Sequence, residues 1–394
     1  MQKAFFLLCA LVACGPGAPA IPDAGAPDAG YGKKAIDAGP PPAEAGIDCT
    51  EGSTPSATYP ATHPTMPQVL SYGGPVLAHP RFVPVVFSGE DRTDDIAKFT
   101  SAVATSTYWS GVASDYGVGP ATASAPIAVD ETPPAQIDDV QIQAWLQAKL
   151  DGTHADFGAP DPTAIYVLYY PAATSITAVV DLSCVSFLGY HSETIVGATH
   201  VVYAVIARCS DPTPMTAITA HELFEAATDP LPFSAPAYQH FDQPLQTWLG
   251  QEVGDLCEER PTIVPPDVGY PAVPIWSNVA SAAGRDPCQP SATPYFRTMP
   301  ESPTVALGRG ETRTISLVAF SDRPSDAWTV SANADDVDWP DRLSATLCRA
   351  TAQNGERIPI TITRPNSSEY PSALHIVSTL GDVTTTADIT VVDE

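Results

Sequence analysis

The chain has 394 residues, of which 45 are acidic and 18 are basic, so its formal charge is −27. This charge argues against binding to nucleic acid or to anionic membrane surfaces, because both of these partners are negatively charged. In an exported protein it mainly favours solubility, and it also suits the binding of divalent cations.

The first residues have the pattern of a lipoprotein signal peptide. Residues 1–13 carry Lys3 and an apolar run that is too short to span a membrane permanently. The segment Leu11-Val-Ala-Cys14 has the order of a lipobox, so we expect Cys14 to be lipidated and to form the only contact with a lipid bilayer. The sequence thus predicts an exported lipoprotein, anchored to the bacterial outer membrane or cell surface.

Residues 14–65 are expected to form a disordered tether. They are rich in Pro, Ala, Gly and Asp, and the triplet Asp-Ala-Gly recurs at Asp23, Asp28 and Asp37. Because almost nothing large and apolar is present, this composition favours an extended linker over a packed core.

Residues 66–294 are predicted to form an α/β (α+β) main domain, since apolar strands alternate with amphipathic helices. We expect Ser106–Trp109 to lead into a loop at Gly111, and Val140 to lie on the apolar face of its helix. The predicted elements are a strand at Arg81–Phe87, a helix over 94–107, a helix over 136–150, a strand over 163–170 and a strand over 199–207.

A further helix is predicted over residues 214–229. Thr213 is a suitable capping residue, Pro214 suits the first helical position, and the Asp229-Pro230 pair ends the helix because proline disfavours a helical conformation before it. His221 and Glu225 then project from one face, one turn apart.

This helix carries the pattern His-Glu-x-x-Glu, which resembles the HExxH motif of zinc hydrolases. In that motif two side chains at i and i+4 bind one metal ion, while the adjacent Glu polarises the metal-bound water. We therefore predict His221 and Glu225 as metal ligands and Glu222 as the catalytic base. Zinc is the predicted ion; a carboxylate ligand would also accept calcium or manganese. The alternative is a helix histidine beside two solvated surface carboxylates.

The chain after Pro230 is rich in proline and predicted to be irregular, with Trp248 expected to pack rather than to stack on a substrate. From residue 295 to residue 394 the pattern changes to period-two strands separated by turns, which predicts an all-β immunoglobulin-like sandwich. The predicted strands there are 312–320, 328–332, 358–363, 374–378 and 387–392.

Eight cysteines are present, of which Cys9 lies in the signal peptide and Cys14 is the lipidation site. Export makes disulfides the expected state of the other six, and fifteen pairings are open. Cys257 and Cys288 are well placed in sequence to hold the long loop after the site helix. The six are Cys49, Cys184, Cys209, Cys257, Cys288 and Cys348, of which Cys184, Cys209, Cys257 and Cys288 are the main candidates.

Several ordered blocks over residues 66–290 resemble the plant EXORDIUM and phosphate-induced secreted protein family and its bacterial HExxE metallopeptidase-like relatives. The blocks are Tyr72-Gly-Gly-Pro-Val-Leu77, Tyr108-Trp109, Ile165–Pro171, Cys184 with Gly189-Tyr-His191, His221–Glu225 with Thr228-Asp-Pro230, and Trp248 with Glu252-Val-Gly-Asp-Leu-Cys257. The resemblance implies an extracellular protein in which the Glu252–Cys257 segment folds back on the HExxE helix. Plant members commonly carry Asn at the position of Asp229, and their disulfide pattern applies here only in part.

The remaining site residues follow from this arrangement. Glu252 or Asp255 is predicted to be the third metal ligand, and the alternative interpretation is that both bind calcium and order the loop. His191 is a candidate for oxyanion stabilisation or an alternative ligand, with a structural role as the other interpretation. Asp229 is either a partner of His221 or a turn residue that ends the helix, and the second interpretation is favoured.

Three functions follow from these predictions. The first is a lipid-anchored zinc metallopeptidase with a zincin-like domain and a protein or peptide substrate. The second is a non-catalytic cell-surface protein that binds polysaccharide or peptide and holds a structural ion. The third is an adhesion lipoprotein that acts through its sandwich domain. No nucleotide-binding loop and no Gly-x-Ser-x-Gly elbow occur, which disfavours phosphoryl transfer and serine hydrolysis.

Overall fold

The computed structural model describes residue 49 and residues 54–210, 213–239, 252–258, 260–291, 293–334, 343–366 and 372–393. The fold is mixed α+β, with more residues in strands than in helices. Two regions can be distinguished, a main α/β region and a C-terminal all-β region, and each has its own hydrophobic core.

The main region is built around one mixed sheet with the strand order β3-β2-β6-β10-β9, in which β4 also pairs with β2. The three central strands are parallel, whereas β9 is antiparallel and lies at the edge next to β10. The strands of this region are β1 (Leu70–Ser71), β2 (Arg81–Phe87), β3 (Thr122–Ala123), β4 (Ile127–Val129), β5 (Gln136–Asp138), β6 (Ala164–Tyr170), β7 (Ser175–Ala178), β8 (Asp181–Leu182), β9 (Gly189–Val196), β10 (Thr199–Ala207), β11 (Tyr238–Gln239), β12 (Ile275–Trp276) and β13 (Cys288–Gln289).

Helices cover both faces of this sheet, so that the central strands are apolar on both sides, as expected for parallel strands. The helices are α1 (Thr93–Thr105), α2 (Thr107–Ala113), α3 (Asp139–Lys149), α4 (Met215–Thr228) and α5 (Asn278–Ala282). Helices α1, α2 and α4 share a core with one face of the sheet, and α3 packs on the other face. Short 3₁₀ helices follow α2 and precede β12, at Ser114–Tyr116 and Asp255–Cys257.

The predicted strands and helices of the main region are confirmed, with three local corrections before residue 150 and one at the start of α4. Residues 107–113 form helix α2 rather than a loop, because the Ser106 hydroxyl caps it by accepting from the Trp109 N–H. Residues 136–138 form strand β5, and α3 starts only at Asp139 behind a capping box. Val140, predicted on the apolar face, is 74% exposed, since Ile142 and Leu146 supply the buried side of α3.

The C-terminal region consists of a four-stranded sheet, β14-β16-β20-β18, and a five-stranded sheet, β15-β22-β21-β17-β19. Apolar residues from both sheets form one core around Trp328 and Phe296, which confirms the predicted period-two strands. The strands are β14 (Phe296–Pro300), β15 (Thr304–Ala306), β16 (Thr312–Ser321), β17 (Trp328–Ala334), β18 (Ser344–Leu347), β19 (Thr351–Ala352), β20 (Arg357–Thr363), β21 (Ser372–Leu380) and β22 (Val383–Val392).

Residues 54–65 differ from the predicted tether, because they pack on the C-terminal region. The buried Asn354 side chain accepts from the Ala61 N–H at 3.0 Å and donates to the carbonyl oxygens of Ser56 and Thr58. Ala61 itself belongs to the core of that region, and the His63 ring lies 4.9 Å from the Phe320 ring. The N-terminal part of the predicted tether, residues 14–48, lies outside the described residues.

Three disulfides pair all six cysteines that were expected to remain after export. They are Cys49–Cys348, Cys184–Cys209 and Cys257–Cys288. This pattern is typical of secreted or extracellular proteins. Among the described residues, no helix is both long enough and apolar enough to cross a membrane. The predicted signal peptide, Cys14 and Trp248 lie outside the described residues.

Candidate metal centre

Helix α4 is fixed in the main core by its apolar side. The Phe224 ring lies 4.4 Å from the Trp109 ring and 5.2 Å from the Tyr108 ring, and Leu223 is fully buried. The sequence prediction needs one correction at its start, since Pro214 is the N-cap, no side chain caps the helix, and the first helical residue is Met215. The apolar contacts hold the opposite side of α4, with its HExxE residues, against β9 and the returning chain.

Edge strand β9 brings two residues to this side of α4. His191 pairs with Ala204 of β10, whose side chain lies in the core that α4 shares, so the imidazole points towards α4. Gly189 lies two residues earlier on the same face. A β-carbon at Gly189 would lie 2.9 Å from Oε1 of Glu222 and 2.8 Å from a methyl group of Ile218, so only glycine allows this close approach.

Residues 252–258 return to α4, as the family resemblance implied. The Glu225 Oε1 atom accepts hydrogen bonds from the backbone N–H groups of Gly254 and Asp255, at 3.0 and 3.2 Å. The segment is tied to β12 and β13 by the hydrogen bond from the Trp276 N–H to the Val253 carbonyl and by the Cys257–Cys288 disulfide. Two independent constraints thus position this segment against the HExxE helix.

The first group of candidate ligands consists of His221, Glu225 and Asp255. His221 Nε2 lies 3.1 Å from Glu225 Oε1 and 3.4 Å from Asp255 Oδ1. Two ligands at 2.0–2.2 Å from a tetrahedral zinc ion are about 3.4 Å apart, so these separations fit a shared ion. The side chains of His221 and Asp255 are 14% and 11% exposed, which leaves this group accessible from one side.

The second group consists of His191, Glu225 and Glu252, and it is fully buried. His191 Nδ1 lies 3.9 Å from Glu225 Oε2, while His191 Nε2 lies 3.7 Å from Glu252 Oε2. The Glu222 carboxylate is also close, with its Oε2 atom 3.8 Å from His191 Nδ1. Glu225 therefore belongs to both groups and uses a different oxygen atom in each.

Several atoms of this cluster are buried without any hydrogen-bond partner in the described part of the chain. They are His191 Nδ1, Glu222 Oε2, Glu225 Oε2 and Glu252 Oε1. Buried polar atoms are normally paired, because leaving them unpaired costs roughly 1–3 kcal/mol each, and more for charged groups. Four such atoms in one place make the cluster a candidate cation site.

The charges in the cluster support the same conclusion. Burial alone would lower the pKa of the two histidines, but nearby carboxylates outweigh burial and raise it, namely Glu222 and Glu225 for His191, and Glu225 and Asp255 for His221. Burial raises the pKa of Glu225, and the negative charge of Asp255 raises it further, to about 7.

The same causes act on Glu252, whose pKa is raised well above its usual value by burial and by the charge of Glu225. Within the described residues, the only ion pairs of these carboxylates are those with His191 and His221. Without another cation, protons on the histidines and on the carboxylates themselves balance the buried negative charge, a role that a bound metal ion would take over.

Asp229 ends α4 and positions His191 rather than His221. Its carboxylate accepts from the Ala237 N–H and from the Gln239 side-chain amide, both at 2.6 Å. Its carbonyl oxygen lies 3.1 Å from His191 Nε2. If Nε2 donates this hydrogen bond, the Nδ1 lone pair is directed at the carboxylates, in the way that carbonyl oxygens orient metal-ligating histidines.

The structure brings together all six site residues predicted from the sequence, namely His191, His221, Glu222, Glu225, Glu252 and Asp255. Two glycines were missed, Gly189 and Gly254. Gly254 lies between the two predicted ligands Glu252 and Asp255, and this position was the only feature of the sequence that could have indicated its role.

Gly254→Ala is expected to weaken metal binding by about tenfold or more, comparable to the loss of an outer-shell contact. The backbone of Gly254 is helical, with φ −80° and ψ −47°, so alanine is tolerated there. Its β-carbon, however, would lie 2.7 Å from His221 Nδ1 and 2.8 Å from Glu225 Oε1. Isothermal titration with zinc measures the effect.

The matched control is Gly111→Ala in helix α2, where no described atom outside the neighbouring residues and the helix backbone lies within 4 Å of the added carbon. This variant should bind zinc like the wild type and gain up to about 1 kcal/mol of stability from helix propensity. Equal zinc affinity in Gly254→Ala and Gly111→Ala would contradict the close approach of Gly254 to the ligands.

A cavity of about 250 Å³ lies beside the N-terminal turn of α4. Its wall includes Ile218, which is one helical turn from Glu222 and shares a face of the helix with it. The cavity is lined by Arg92, Leu188, Ala207, Arg208, Cys209, Thr213, Pro214, Met215 and Ile218. It combines an apolar wall with two arginines, next to the candidate metal centre.

No protein-family model matches this sequence, and a search of curated proteins finds no match.

Proposed function

We propose that this chain is an exported metal-dependent hydrolase that cleaves peptide bonds, with zinc as the preferred ion. The observation that carries the proposal is the convergence of His221, Glu225 and Asp255 at ligand distances on one accessible side of the cluster. A closed set of four protein ligands would favour a structural ion, whereas three ligands with an open side are typical of catalytic zinc.

Within this proposal Glu222 accepts the proton of the attacking water. Glu222 lies on α4 and is only 3% exposed. One of its carboxylate oxygen atoms, Oε2, has no hydrogen bond within the described chain. A buried, unpaired carboxylate beside a cation is suited to hold and transfer a proton. The ion, when bound, would polarise the substrate carbonyl and the water.

His191 fits the role of a ligand better than that of an oxyanion donor. One of its ring nitrogens faces the Asp229 carbonyl, and the other faces Glu222 and Glu225. An oxyanion donor needs an N–H group that points towards the substrate, and neither nitrogen of this buried ring is oriented in this way.

The proposed substrate is a protein or peptide outside the cytoplasm. The disulfides support export, and a lipid anchor at Cys14 would hold the protein at the outer membrane or cell surface. The cavity beside Ile218 would receive a substrate side chain. Membership of the EXORDIUM-like family, a zincin-like main domain and an immunoglobulin-like C-terminal domain stay predictions.

A non-catalytic binding protein with a structural ion is the second candidate. The observation that favours it is the complete burial of His191, Glu225 and Glu252, because a closed site keeps its ion away from substrates. Polysaccharide or peptide would then bind elsewhere on the surface. The adhesion function of the C-terminal region also stays a prediction.

The test is hydrolysis of a peptide library by the purified zinc-loaded protein, followed by mass spectrometry. We expect cleavage products that disappear after chelation and return when zinc is added back. Zinc that binds tightly without cleavage of any library peptide would favour the structural ion. Cleavage that persists in the metal-free protein would contradict the proposed chemistry.

A further inference from the structure

We infer that the buried group His191, Glu225 and Glu252 is a second cation site, so that Glu225 bridges two ions. The inference extends the proposed function, which requires only the first group. It rests on the positions of the two oxygen atoms of Glu225. Oε1 faces His221 and Asp255, and Oε2 faces His191.

Each residue of the second group carries an unpaired buried atom. Glu225 Oε2, Glu252 Oε1 and His191 Nδ1 are all buried without a hydrogen bond in the described chain. Glu225 Oε1, in contrast, already accepts from the backbone at Gly254 and Asp255. An ion in the first group alone would therefore leave the unpaired atoms of the second group unsatisfied.

The balance of charge leads to the same result. Five carboxylates lie within the cluster, and its two histidines are neutral when they bind metal. With all five carboxylates ionised, one divalent cation would leave three negative charges in a buried site, whereas two would leave one. The five are Glu222, Glu225, Asp229, Glu252 and Asp255. Buried charges without a compensating ion are unfavourable, so the carboxylate content of the cluster favours two ions over one.

The donor set indicates which cations suit the second site. One imidazole nitrogen with carboxylate oxygens suits zinc or manganese, and the full burial excludes a large hydrated ion. The 3.9 Å between His191 Nδ1 and Glu225 Oε2 exceeds the tetrahedral zinc edge of about 3.4 Å, so these two side chains would approach each other by about half an ångström on binding. Carboxylate-bridged ions in two-metal enzymes lie about 3.5–4 Å apart.

The experiment measures metal stoichiometry in the full chain after loading with zinc and removal of free metal. We expect two zinc equivalents in the wild type, one in Glu252→Gln and one in Asp255→Asn. Both replacements keep the size of the side chain and remove a charge, so the fold is expected to persist, and circular dichroism verifies this. Glu356→Gln, a buried glutamate of the C-terminal region, is the matched control and should keep two.

A second measurement tests the bridge itself. In the manganese-loaded wild type, electron paramagnetic resonance should show an exchange-coupled pair, and Glu252→Gln should show a single uncoupled ion. One equivalent in the wild type, lost in Asp255→Asn and kept in Glu252→Gln, would overturn the second site and leave the proposed hydrolase intact. Failure of the wild type to bind either metal would overturn both.

Discussion

Glu225→Gln is expected to abolish zinc binding and, in the same molecule, to stabilise the metal-free protein. Glu225 belongs to both candidate ligand groups, so its loss removes a ligand from each. Loss of an outer-shell partner already costs 10–100-fold in metal affinity, and loss of a shared ligand should therefore cost more than about a hundredfold.

The gain in stability follows from the burial of the carboxylate. Glu225 is fully buried beside the acidic Glu252 and Asp255, and without a cation this arrangement is unfavourable. Glutamine keeps an oxygen that accepts from the Gly254 and Asp255 N–H groups, while it removes the charge. Because the pKa of Glu225 is raised to about 7, its ionised form destabilises the folded metal-free protein, and we expect the variant to gain about 1–3 kcal/mol in free energy of unfolding at neutral pH.

Denaturant unfolding with chelator and with excess zinc measures both effects. With chelator, Glu225→Gln should be more stable than the wild type. At a zinc concentration a hundred times the dissociation constant, each bound ion adds about 2.7 kcal/mol to the wild type, so the order of stabilities should reverse.

Glu356→Gln is the control for the general effect of losing a buried glutamate. Glu356 pairs with Arg349 in the C-terminal region, so this variant should lose stability and keep the full zinc response. A metal-free Glu225→Gln protein that is less stable than the wild type would show that the carboxylate is satisfied without a cation.

Most strands and helices of the main region could be predicted, because the sequence patterns that indicate them involve only neighbouring residues. The apolar runs of β2, β6 and β10 and the helical spacing around His221 and Glu225 depend only on neighbours in sequence. The spacing of four residues alone places these two side chains on one face of α4.

The third ligand could not be chosen from the sequence, because it depends on how the chain returns after a long irregular segment. Glu252 and Asp255 were predicted as alternatives, yet the structure places both at the cluster, in different groups. The difference between these two residues depends on the tertiary structure. Glu225 Oε1 binds the Asp255 backbone, whereas Glu252 lies on the side of His191.

The end of the predicted tether was missed for a similar reason. Residues 54–65 show no periodic pattern of apolar residues, so their composition favours a linker. Their contacts come instead from hydrogen bonds to Asn354, and the Cys49–Cys348 disulfide joins residues 299 positions apart. Neither interaction has a signal in the local sequence.

Glu222→Gln is expected to lower the turnover of peptide substrates by about 10²–10⁴-fold while the metal content stays that of the wild type. The carboxylate is the proposed proton acceptor, and glutamine has the same shape but cannot take up the proton. Its Oε1 atom lies against Gly189, where an amide of the same size fits the same space. The effect should fall on kcat, because the proton is transferred in the transition state.

Zinc content and steady-state kinetics are measured together on Glu222→Gln and on Glu193→Gln, which changes a glutamate two residues after His191 on β9. Glu193 binds His200 and Ser234 rather than the cluster, so the control should keep both zinc and turnover. Full turnover in Glu222→Gln would exclude Glu222 as the base. Loss of zinc would instead make Glu222 a ligand, consistent with the 3.8 Å between its Oε2 atom and His191 Nδ1. If Glu222→Gln keeps its zinc but loses turnover, Glu222 transfers a proton and does not bind the metal ion.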